Sequence, residues 1–88
     1  MSFLHTEEYL NSGDGFKVSL DTQANVRLLD DSNFSNYRAG RSYRFSGGLA
    51  MKSPIVLRVP HSGHWHLVVD LDGYRGNVRA GIAVLKAA

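Results

Sequence analysis

Between Gly63 and Leu71 the chain reads GHWHLVVDL, with Trp65, Leu67, Val69 and Leu71 on alternate positions and His64, His66 and Asp70 between them. Successive side chains of a strand leave opposite faces, so a period of two marks a strand with one face on a core. Pro60–Gly63 (PHSG) before it and Asp72-Gly73 after it supply turns. No stretch carries a period of 3.6 long enough for a substantial helix.

The same alternation recurs along the chain. Phe16–Asp21 puts Phe16, Val18 and Leu20 on one face, and Asn25–Leu29 turns Val26 and Leu28 inward. Ser42–Phe45 reads as a short strand ended by Gly47-Gly48. Residues 55–59 alternate Ile55, Leu57 and Val59 with Arg58. Val78–Leu85 groups Val78, Ala80, Ile82 and Val84. Gly73–Asn77 reads as the turn before this last strand, with Tyr74 and Arg75 at its tip. Thr6–Asn11 reads as one helical turn, Thr6 capping it and Glu7 and Glu8 in its first turn. Asp30–Gly40 reads as a polar, turn-forming segment with at most one helical turn carrying Phe34 and Tyr37. About six strands at spacings typical of sandwiches and barrels predict an all-β domain. The expected fold is a small single-domain β-sandwich or partly open barrel over residues 1–88, with a short N-terminal helical turn.

With 88 residues, 43% hydrophobic, and no Cys, the chain has material for one modest core and neither disulfides nor thiolate metal sites. Association into a homo-oligomer would be one further source of buried surface. No apolar run approaches a membrane span. MSFLHTEEYL has acids where a signal peptide would have basic residues, so a soluble cytoplasmic protein is expected. The formal charge of +2 is dispersed, without the basic stripe of a nucleic-acid-binding surface.

His61, His64 and His66 form the constellation with the most chemical potential. His64 and His66 share a strand face, opposite Trp65. Neutral imidazole is the commonest metal ligand, and a His-x-His strand pair needs a third ligand and an open position. His61 and His5 are candidates for that ligand; Asp70, roughly 13 Å along the strand from His66, is too distant. Without a third ligand the two His populate a solvated outer face. If residues 55–59 and 64–71 form a hairpin, Arg58 lies opposite His64, and the two would accept an anion more strongly as pH falls.

The second constellation is Asp30–Gly48, where Phe34, Tyr37, Tyr43 and Phe45 interleave with Arg38, Arg41 and Arg44. Such a surface could stack a planar ligand and hold an anion, or fold back to plug one end of the sandwich. No P-loop, dinucleotide fingerprint, nucleophile elbow or Cys nucleophile is present. No catalytic residue and no cofactor is therefore assigned.

FLH at 3–5, NVRLLDDSNFSNYRAG at 25–40, YRFSGG at 43–48 and VPHSGHWHLVVDLDGYRG at 59–76 resemble a small bacterial all-β domain family known only as a domain of unknown function. Some of its members are joined to TIR domains. The resemblance implies a compact β-sandwich and a sensing or adaptor role, and carries no reaction or site residues. The sequence reading is thus a non-enzymatic module binding a protein or a small anionic ligand through Phe34, Tyr37, Arg38, Arg41, Arg58, His64 and His66. Its alternatives are a metal protein built on His61, His64 and His66, and a structural homo-oligomer.

Overall fold

The computed structural model describes residues 3–71 and 79–87. Seven strands and one helix follow in the order β1 (Phe3–Leu10), β2 (Gly15–Leu20), β3 (Ala24–Asp30), α1 (Asp31–Ala39), β4 (Ser46–Ala50), β5 (Ile55–Arg58), β6 (Gly63–Asp70) and β7 (Ala80–Leu85). They form a four-stranded sheet, β1-β6-β3-β4, and a three-stranded sheet, β5-β2-β7. Every pairing is antiparallel. The two sheets make a small β-sandwich rather than a closed barrel.

The core lies between the sheets and follows the alternation. Leu10, Val26, Leu28, Trp65, Leu67 and Val69 come from the larger sheet, and Phe16 and Val18 from the smaller; all are buried in one cluster. Ile55, Leu57, Ala80 and Ile82 pack at its margin. Burying side chains of this size contributes roughly 1.5–3 kcal/mol each, the main force closing the sandwich. Trp65 fills one end, its indole N–H donating to the His61 carbonyl at 3.0 Å.

Three local expectations are corrected. Thr6–Asn11 is not a helical turn, because residues 3–10 form β1 in register with β6, from Phe3 opposite Asp70 to Leu10 opposite Gly63. Pairing along a whole strand outweighs the weak helical preference of TEEYLN. Gly47 and Gly48 do not end a strand at Phe45; they lie inside β4, with φ of 107° and 142°. A Cβ on Gly47 would collide with the Val26 carbonyl, so glycine is what lets β4 lie against β3 here. Arg58 is not opposite His64, because β5 pairs with β2 in the other sheet.

The third sheet-covering layer is α1. Asp30 caps it by accepting from the Asn33 backbone N–H at 2.8 Å, and Gly40 ends it in the left-handed conformation at φ 74°. The helix is longer than the single turn expected, and it covers the outer face of the larger sheet rather than an open end. Phe34 joins Leu29 and Val68 in a second apolar cluster there, edged by Phe3, Tyr37 and Tyr43. The predicted turn at 73–77 and Val78 lie outside the described residues. Among the described residues no helix is long and apolar enough to cross a membrane.

Candidate metal centre

Cross-strand partners share a face, so the register of β1 with β6 gathers His5, Glu7, His64 and His66 on the outer side of the larger sheet. Glu7 stands opposite His66. His5 lies one position further along the same face, and its Nε2 is hydrogen-bonded to His66 Nδ1 at 2.9 Å. Phe34 then closes over both rings from α1. Its centroid is 4.2 Å from each imidazole, with planes 15° and 7° from parallel. His66 is thereby buried to 5% exposure, which corrects the expectation of a solvated His pair.

Glu7 Oε2 is 3.4 Å from His66 Nδ1 and 3.7 Å from His5 Nε2. Both separations are too long for hydrogen bonds but ordinary between ligands of one ion. With the 2.9 Å His5–His66 edge, the three donor atoms lie on a circle of about 2 Å radius, the length of a zinc–nitrogen bond. These three atoms could together hold one such ion.

Asp31, the first residue of α1, supports this group from the far side. Its Oδ1 accepts from His66 Nε2 at 2.6 Å and from His64 Nδ1 at 2.8 Å. With the proton of His66 on Nε2, its Nδ1 accepts from His5 Nε2, so an ion held by both nitrogens would take the place of that hydrogen bond, the His5 proton moving to its own Nδ1. A carboxylate behind a ligating imidazole orients such ligands and raises their basicity. The two imidazole bonds hold the Asp31 carboxyl below its ordinary range, His66 contributing most. Burial, and next the neighbouring His66, push His5 below the usual imidazole value, favouring the neutral, ligating form.

Next to this group a buried ion pair docks the helix on the sheet. Arg27 Nη1 donates to Asp70 Oδ2 at 2.6 Å, and the Tyr37 hydroxyl donates to the same oxygen at 2.6 Å. Arg27 and Asp70 are 8% and 2% exposed. Burial, and then the hydrogen bond to Asp70, push the Tyr37 phenol well above its usual value, so it remains a donor. Tyr37 thus ties the C-terminal half of α1 to the floor on which Phe34 meets the two His.

The model of the family described as Domain of unknown function (DUF1883) matches residues 1–88. The chain belongs to this family. No curated protein and no solved structure matches it. In this DUF1883 domain the side chains singled out from sequence are dispersed. His64 and His66 are brought together, and His5, one of the candidate third ligands, joins them. His61 stays at the end of the sandwich, its ring tilted against Trp65 at 5.0 Å and its Nδ1 3.2 Å from the Ser62 carbonyl oxygen. It belongs to neither donor group found among the described residues, which are His5–Glu7–His66 and Asp31–His64–His66.

The remaining predicted residues serve other contacts. Phe34 roofs the imidazoles and Tyr37 holds Asp70. Arg38 places its guanidinium over the Phe34 ring, 5.9 Å from the centroid. Arg41 donates through Nε to Asn36 Oδ1 at 3.2 Å, and Arg58 donates to the Gly13 carbonyl at 2.9 Å on the other sheet. Sequence reasoning missed Glu7 and Asp31. Reading residues 3–10 as a strand would have put His5 and Glu7 on one face, a second His-x-ligand pair mirroring His64 and His66. Asp31 is visible only once α1 is folded over that face.

Proposed function

We propose that this domain binds a divalent transition-metal ion through His5, Glu7 and His66. The observation that supports this reading most directly is the placement of Glu7 Oε2, 3.4 and 3.7 Å from two imidazole nitrogens that are themselves 2.9 Å apart. Two His and one carboxylate form a donor set shared by zinc and non-haem ferrous sites that keep positions open for water or a ligand. Phe34 covers the imidazole faces, while His5 and Glu7 remain partly exposed, with side-chain exposures of 27% and 51%. The ion would therefore be reached from the β1 edge. Asp31 holds His66 in the tautomer that leaves Nδ1 for the ion.

The test is calorimetric titration of the metal-stripped chain with Zn²⁺ in a non-chelating buffer. Uptake is expected, weakened at least tenfold by Glu7→Gln and unchanged by His61→Ala. Absence of uptake, or equal effects of the two substitutions, would overturn the reading.

A further inference from the structure

His66 presents both ring nitrogens to ligand atoms, and each side offers the same pair of chemistries. On the Nδ1 side stand an imidazole, His5, and a carboxylate, Glu7. On the Nε2 side stand a carboxylate, Asp31, at 2.6 Å and an imidazole, His64, whose Nδ1 is 2.8 Å from the same Asp31 oxygen. The two donor groups are His5–Glu7–His66 and Asp31–His64–His66, with the donor atoms of each within 4.8 Å of one another. His66 is their common member.

We infer that the site takes two divalent transition-metal ions, bridged by the His66 ring as an imidazolate. This rests on the single-ion reading above and extends it. The first ion would take His5 Nε2, Glu7 and His66 Nδ1 in place of the hydrogen bond between the two rings, the His5 proton moving to its own Nδ1 and the His66 proton staying on Nε2 against Asp31. The second ion replaces that proton: the Nε2–H bond breaks, a metal–Nε2 bond forms, and one proton leaves to solvent. Asp31 and His64 complete its protein ligands.

Charge and rigidity both favour the bridge. Glu7, Asp31 and the imidazolate bring three negative charges to two dications, so most of the added charge is neutralised in place. The His66 ring cannot swing to serve one ion alone, because it is buried and stacked on Phe34 with planes 7° apart. Asp31 and His64 can adjust to the second ion, since their side chains are 67% and 38% exposed. Glu7 also faces the second group, its Oε1 lying 3.7 Å from His64 Nε2.

The experiment loads the full metal-stripped chain with Zn²⁺ and with Cu²⁺. Native mass spectrometry counts the ions, titration at pH 8 in two buffers of different ionisation heat counts released protons, and electron paramagnetic resonance follows the copper form. At pH 8 free imidazoles are already neutral, so a proton released at the second step comes from His66 Nε2 or from metal-bound water, and exchange coupling in the copper form distinguishes the two. The expected result is two ions per chain, one proton released with the second, and a copper signal diminished by exchange coupling. Asp31→Asn and His64→Ala, both at exposed side chains, should lower the stoichiometry from two to one; His61→Ala should leave it at two. One ion in the wild type overturns the bridge while the single-ion reading stands, and no ion overturns both. Two ions with uncoupled copper spectra would mean separate sites and would also overturn the bridge.

Discussion

Phe34 lies flat on His66, with ring centroids 4.2 Å apart and planes 7° from parallel. One residue comes from the helix and the other from the central strand, so the contact that docks α1 also shapes the candidate site. Stability and metal affinity should respond together here. Phe34→Ala is expected to cost about 3 kcal/mol, as for other large-to-small changes at buried aromatics. It should also weaken Zn²⁺ binding, by freeing the His5 and His66 rings. Urea unfolding and zinc titration of the same variant check this; lost stability with unaltered affinity would separate the two roles.

The Arg27–Asp70–Tyr37 group predicts an unequal pair of substitutions. Asp70→Ala removes the carboxylate that faces a buried guanidinium and should cost about 3–5 kcal/mol. Tyr37→Phe removes one hydrogen bond to that carboxylate and should cost about 1–2 kcal/mol. A double-mutant cycle should show coupling between them, whereas additive losses would mean that Tyr37 acts through packing alone.

Asp14 predicts an acid-sensitive closure of the sandwich. Its carboxylate accepts from the backbone N–H groups of Ala87 at 2.7 Å and Asn11 at 2.9 Å, tying the segment after β7 to the β1–β2 turn. These bonds, that from Ala87 foremost, hold its pKa below the ordinary value. A group lowered on folding stabilises the protein above its unfolded pKa, and that contribution fades as pH falls through the folded value. Wild type should therefore lose more melting temperature than Asp14→Asn between pH 6 and strongly acidic conditions. Parallel melting curves across that range would contradict the assignment.

Gly47 is a backbone requirement. At φ 107°, with the Val26 carbonyl in the path of any Cβ, Gly47→Ala should destabilise by well over ~1 kcal/mol. Gly40→Ala serves as the comparison, because it also has a positive φ but meets no atom within 4 Å. Chemical denaturation should rank the Gly47 variant as the less stable; the reverse order would remove the close β3–β4 approach as the cause.

The alternation of apolar residues made the core readable in advance. Val26, Leu28, Trp65, Leu67 and Val69 face inward because a period of two leaves a strand no other way to bury them. The His64–His66 face followed from the same rule. The capping signals of α1, Asp30 and Gly40, were also in plain view, but the segment DSNFSNYRA buries only Phe34 and shows almost no apolar stripe.

What only the tertiary structure decided is which segments meet. That β6 lies between β1 and β3, sixty residues and forty residues earlier in the chain, is a matter of strand order and has no local signature. That order brought Glu7 opposite His66, moved Arg58 to the other sheet and turned TEEYLN from an apparent helical turn into an edge strand. The sequence by itself determined an all-β domain whose strands bury one face, together with one outward pair of imidazoles; that the strands divide into two packed sheets came from the fold. Folding α1 across that pair buried one of them and supplied Asp31, because a helix docked by Phe34 and Tyr37 must bring its N-terminal residue over the His64–His66 face.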